Sequence, residues 1–273
     1  MTSPPLPHLD PDPTRPPAPA GSADDVVIDD DGPPAGSGLE ELGPADLRLP
    51  QLRLRQPRTL HADRVPEGSW FATDDPSVHS LGRDLVVLDV RKERSLLLPF
   101  GRGAAARAVA ARISEKTGVE VPADWEGPVC SSLDRVRPVE LEGLPPLATA
   151  CAACPMARWR TERGRHHQDC AESYRLVLLD LVTGRPCVFF ARGAAIRPTR
   201  ELLTALRTQC ERHRRPAWAF SVFALSRRVS GPDGAYHVPA FGPPFAVEPS
   251  QLPFHAALRR RLSAAGDGAW EVA

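Results

Sequence analysis

The chain has 273 residues, 34 basic and 34 acidic side chains, and 42% hydrophobic residues, enough to pack one large domain or two small ones. No run of about 18 apolar residues occurs, so no transmembrane helix is indicated, and the N-terminus lacks the basic-then-apolar order of a secretory signal. The zero net charge conceals a split: residues 1–46 carry ten acids against one base, Arg15, so the remainder holds 33 bases and 24 acids. A basic body points to a polyanionic partner. The bases are nearly all Arg in a chain also rich in Ala and Pro, the bias that a genome rich in G and C produces.

Residues 1–46 are rich in Pro, Gly, Ala and Asp without an apolar period. They cannot bury enough surface to offset the entropy of ordering, so they read as a disordered acidic tail. Within it, Val26-Val27-Ile28 between Asp24, Asp25, Asp29, Asp30 and Asp31 is an acidic–hydrophobic island with the composition of a short docking motif or of a strand-like accident. The folded part is expected over 47–250. Leu47-Arg48-Leu49 and Leu52-Arg53-Leu54-Arg55 alternate apolar and basic residues, the period of a half-exposed strand, and Pro50 between them marks an edge or a break. Ser69 to Thr73 reads as a short strand and Asp84 to Val90 as a clear one, running on into Arg91, Lys92, Glu93 and Arg94. The Ala-rich stretch from Ala104 to Glu115 reads as a helix closed by Gly118. Tyr174 to Val182 and Pro186 to Arg192 read as a hairpin about Thr183-Gly184. Next, Leu202, Leu203, Leu206 and Cys210 form the stripe of a helix with Pro198 in its first turn. Ala217 to Arg228 and Tyr236 to Val238 read as the last hairpin, and residues 251–273 as an amphipathic helix and tail.

Six cysteines lie between residues 130 and 210. Cys151 and Cys154 form a CxxC pair followed by Pro155, with Cys130 upstream and Cys170 downstream. Two thiolates separated by two residues reach one ion together, and two more close the tetrahedral four-sulfur shell of a structural zinc site. In a chain of this kind a metal in a reducing cytoplasm is expected over disulfides. The alternatives are a redox pair, disfavoured because no strand precedes the motif, and inert buried thiols. His166 and His167 stand close enough to Cys170 in sequence to replace one ligand. Cys187 and Cys210 read as small core residues. The segment from about 100 to 172 is thus expected to be a zinc-knuckle insertion.

Several strands, a helix before the last two, and short links outside the insertion suit a mainly β architecture: an OB-like antiparallel barrel with one or two flanking helices. Such barrels hold single strands through a basic groove and aromatic platforms. The candidate contacts are Trp70, Arg91, Lys92, Arg94, Trp159, Tyr174, Phe190, Arg192, Trp218, Phe220, Arg227, Arg228 and Tyr236. Neighbours on a strand face opposite ways, so some of these rings must be core. Phosphate loops, nucleophile elbows and HExxH zinc motifs are all missing, so no enzyme is expected.

Taken together, Leu52-Arg53-Leu54, Gly68-Ser69-Trp70-Phe71, Cys130-Ser131-Ser132-Leu133-Asp134, Cys151-Ala152-Ala153-Cys154-Pro155 with Trp159 and Cys170, and Tyr236-His237-Val238-Pro239 resemble phage- and prophage-type single-stranded DNA-binding proteins with an OB barrel and a cysteine insertion. The similarity spans about residues 47–247. It implies a non-enzymatic, largely sequence-independent coat for exposed DNA strands in replication or recombination. The acidic tail would then recruit a replication or recombination partner, although strand-coating proteins commonly carry such a tail at the C-terminus. The rival expectations are a zinc-stabilised protein–protein adaptor or phage structural component without nucleic-acid binding, and a zinc-dependent enzyme acting on nucleic acid.

Overall fold

The computed structural model describes residues 49–57, 65–98, 103–122, 125, 127–162, 165–231 and 234–264. The acidic tail, the Val26–Ile28 island and the segment beyond 264 lie outside them. Inward Leu52 and Leu54 flank outward Arg53 and make β1 (Leu52–Leu54), which pairs antiparallel with β2 (Trp70–Ala72); β2 pairs in turn with β3 (His79–Ser80). The apolar run after Asp84 belongs to a much longer strand than its periodicity predicts, β4 (Gly82–Leu97). Then come α1 (Ala104–Thr117), β5 (Pro128–Ser132), the small β6 (Arg160–Glu162) and β7 (Arg165–His167) ribbon, and the hairpin of β8 (Ala171–Asp180) and β9 (Arg185–Arg192). The chain finishes with α2 (Ile196–His213), β10 (Phe220–Gly231), β11 (Gly234–Phe241), β12 (Phe245–Ala246) and α3 (Leu252–Ala264).

The main sheet runs β11-β10-β4-β8-β9, all antiparallel, with β12 beside β10 and β5 beside the far end of β4. The architecture is mainly β, a curled half-barrel with three α-helices among the described residues. Its two ends, β9 and β11, are not paired with each other; β1 lies between them. Val188 in β9 donates its N–H to the Pro50 carbonyl at 2.9 Å just ahead of β1. On the other side the Gln56 amide donates to the His237 carbonyl at 2.9 Å and its oxygen accepts the His237 N–H at 2.8 Å. A side chain here occupies the hydrogen-bonding edge of β11 as a strand would, which protects that edge from unwanted pairing.

One sheet face buries Leu85, Val87, Leu176, Leu178, Phe189, Phe220 and Val222 with Leu202 and Leu206 of α2. The other buries Val86, Leu88, Val177, Leu179 and Val188 under Phe254, Leu258 and Leu262 of α3. Fully burying one such side chain stabilises by about 1.5–3 kcal/mol, so β4 and β8, apolar on both faces, anchor the fold. A bulge at Leu88 shifts the register, since Val87 faces Leu178 but Asp89 faces Val177. Past the bulge the parity of β4 changes, as one extra residue requires. Lys92 and Arg94 therefore sit opposite Tyr174 and Glu172, and Arg91 opposite Arg175. A third core joins Leu96, Ile113, Val129, Leu144, Leu147 and Met156 with Cys130, Cys154 and Cys170. The cysteine segment is thus built onto the protruding end of β4, and Cys130 stands on a strand, paired with Leu96.

Candidate nucleic-acid groove and thiol cavity

Where β9 and β11 fail to meet, the half-barrel leaves a groove of about 420 Å³ beside β1. Arg53 lines it from β1, Phe190 and Arg192 from β9, and Tyr236 and His237 from β11. Arg53 is exposed because it is the outward member of the Leu-Arg-Leu alternation, and its Nε donates to Gln51 Oε1 at 2.8 Å. The Arg192 guanidinium lies 5.3 Å from the centre of the Phe190 ring, a cation–π arrangement. His237 Nε2 lies 2.9 Å from Glu67 Oε1. Its ring leaves no room for a side chain at Gly68, which adopts φ +80° in the turn before β2. The groove therefore offers two cationic side chains and two partly open rings around one cleft.

The expected contact residues divide sharply. Phe190, Arg192 and Tyr236 line the groove. Arg227 and Arg228 are exposed on the β10–β11 hairpin, opposite Val238 and His237. Trp159 is 68% exposed on the cysteine segment beside exposed Arg158, whereas Trp70 is wholly buried and packs edge-on against Phe189 at 5.3 Å. Tyr174 and Phe220 are core as well, so these three rings are structural, a correction that follows from their inward strand parity. Trp218 is half-buried at the edge of the α3 core. Arg91 pairs with Asp89 at 3.4 Å, and Lys92 is exposed on the Tyr174 face. Arg94 is turned inward onto Glu172 at 2.6 Å, which removes it from the expected contact surface. Sequence reasoning missed Arg53, Gln56 and His237 as groove residues. The alternation around Arg53 was a usable signal; the edge-capping role of Gln56 depends on a residue 181 positions away.

The four expected ligands share one small cavity. Cys130, Cys151, Cys154 and Cys170 line it together with Pro138, Ala148, Ala150 and Ala157, and all four thiols are buried. The knuckle turn is held by backbone bonds, Cys154 N–H to Cys151 O at 3.3 Å and Ala157 N–H to Cys154 O at 3.1 Å, and Cys170 is tied to it by its N–H on Met156 O at 2.9 Å. Burial pushes the Cys130 thiol up to about 11 and Cys170 to about 12, with the neighbouring thiols adding to both. Both are therefore neutral near pH 7 in the metal-free protein. Among the described residues no group of three or more His, Cys, Asp or Glu side chains is arranged to hold a metal ion. The thiols thus converge on a cavity without forming a closed ligand shell. The side chains of His166 and His167 lie outside the described residues. Cys187 is core, and Cys210 is half-buried on α2.

No helix among the described residues is long and apolar enough to cross a membrane. Comparison with protein-family models, with curated proteins and with solved structures returns no match to this chain.

Proposed function

We propose that this protein binds single-stranded DNA, largely without regard to sequence, through the groove between β9 and β11, in replication or recombination. The observation that carries the reading is the coincidence, in one open cleft, of Arg53 and Arg192 with the partly exposed rings of Phe190 and Tyr236. Guanidinium groups neutralise phosphates, and rings stack on bases of any identity, the combination that strand-coating proteins need. Arg227, Arg228 and Trp159 extend the contact beyond the groove. In this reading the half-barrel works as an OB-like module. Its cysteine segment is held by a structural Zn²⁺ on Cys130, Cys151, Cys154 and Cys170. Four buried thiols around one cavity are the donor set that such an ion takes, and closing the shell on the ion supplies folding energy to a segment with a small core.

A fluorescent oligonucleotide titration at two salt concentrations tests the binding. Affinity falls steeply with salt, and the Arg53→Ala, Arg192→Ala double variant has a log–log slope shallower by roughly 1.4, about 0.7 for each lost phosphate contact on a single strand. Equal affinity for duplex, or a slope unchanged in the variant, sinks the proposal.

A further inference from the structure

Four elements of the chain send charges to one point beside the thiol cavity. Glu172 on β8 accepts from Arg94 of β4 at 2.6 Å, from Arg135 of the loop after β5 at 3.1 Å and from Arg200 of α2 at 3.2 Å. Arg200 also donates from Nε to the Tyr174 hydroxyl at 3.0 Å. Three guanidinium groups share one carboxylate, a local surplus of two positive charges. Arg94, Arg135 and Glu172 are only partly exposed, at 15%, 23% and 24%, so solvent does not fully screen their charges, whereas Arg200 is 55% exposed and more strongly screened.

Arg94 links this cluster to the cavity. On the ladder it faces Ser132, two residues past Cys130, and Glu172, two residues past Cys170. Its other terminal nitrogen donates to the Ala157 carbonyl at 3.4 Å, and Ala157 lines the thiol cavity. A divalent ion held by four thiolates carries two net negative charges, equal and opposite to the surplus around Glu172. We propose that the Glu172 arginine cluster is the built-in counter-charge of a tetrathiolate metal site, with Arg94 as its positioning residue. The inference rests on the zinc reading and specifies what the rest of the chain supplies to it. Groups around a ligand shell orient the ligands and tune affinity, and losing one typically weakens metal binding about 10–100-fold.

The test uses the full chain, loaded with Zn²⁺ or with Co²⁺ as a spectroscopic probe, and competed with a chelator. Arg94→Met loses metal at least about tenfold more readily than the wild type, Arg94→Lys recovers most of the affinity, and Glu172→Gln holds metal more tightly. Both Arg94→Met and Glu172→Gln break the same ion pair, so a purely structural role weakens both. The opposite signs belong to charge compensation alone. If both variants weaken binding alike, or if Arg94→Met binds as the wild type does, the inference is overturned and the zinc reading survives. If the wild type shows no cobalt–thiolate absorption and no retained zinc, both fall together. Should Arg94→Met fail to fold, tighter retention in Glu172→Gln alone supports the proposal, and retention equal to or weaker than that of the wild type overturns it.

Discussion

At the scale of single residues, exposure decides which of the many rings and arginines can meet a ligand. Tyr236 opens onto the groove and Trp70 does not, although both are aromatic residues near turns. Tyr236→Ala is expected to lose about 1–3 kcal/mol of oligonucleotide binding with little change in stability. Trp70→Ala is expected to cost on the order of 3–5 kcal/mol of stability. Thermal melts and titrations on the same two variants check the division. Arg83 and Asp180 pair at 2.6 Å with both side chains almost fully buried, and Arg83 also donates to the Val78 carbonyl at 2.5 Å. Asp180→Ala leaves the guanidinium charge buried without its partner, so denaturant unfolding should show a loss of about 3–5 kcal/mol. By contrast, the exposed helix pairs Arg197–Glu201 and Arg207–Glu211 are screened by solvent and contribute little. A close approach fixes Gly82, where a Cβ would lie 2.3 Å from the Phe223 ring across the β4–β10 ladder.

At the scale of elements, β4 joins the two halves of the described fold. Its first half is central to the half-barrel and its last turns carry β5 and the thiol cavity. The bulge at Leu88 sets which face each later residue takes. Arg91 and Arg94, three residues apart, take opposite faces by strand alternation; the bulge decides which, setting Arg94 opposite Glu172 and Arg91 opposite Arg175. At α3, His255 is buried and donates from Nδ1 to the Trp218 carbonyl at 3.1 Å. Burial lowers its pKa below the ordinary 6.5. The folded state therefore binds fewer protons at this site than the unfolded chain below that value. Its contribution is complete above pH 6.5 and is lost progressively as the pH falls through the lowered value. The protection of the α3 amides relative to their intrinsic exchange rates should fall from about pH 6.5 downward, and His255→Gln should flatten that dependence. An α3 whose protection is independent of pH in the wild type would refute this account.

At the scale of the whole molecule, the half-barrel has two packed faces of its own, whereas the cysteine segment shares one small core with the thiols. If the thiols hold zinc, chelation should raise hydrogen exchange over α1 and residues 128–170 and leave β8–β11 protected. A uniform loss of protection would show that the ion is not confined to the knuckle. Metal uptake should also release protons and strengthen as the pH rises, because Cys130 and Cys170 are neutral thiols in the metal-free protein. Much of this organisation was legible in the residues. Alternation and turn chemistry located β1, β2, β8, β9 and β11, the Leu202–Leu206 stripe located α2, and Gly118, at φ +73°, ends α1 as expected. The spacing of Cys130, Cys151, Cys154 and Cys170 marked four thiols that do share one cavity. These features are local, or depend on residue type alone, and so survive in a linear string. The bulge that reorients Arg94, the pairing of β5 with β4, the Gln56 cap on β11 and the open seam between β9 and β11 arise only when residues tens to hundreds of positions apart compete for the same hydrogen bonds and the same core. That competition has no local periodicity, and tertiary packing alone decides it.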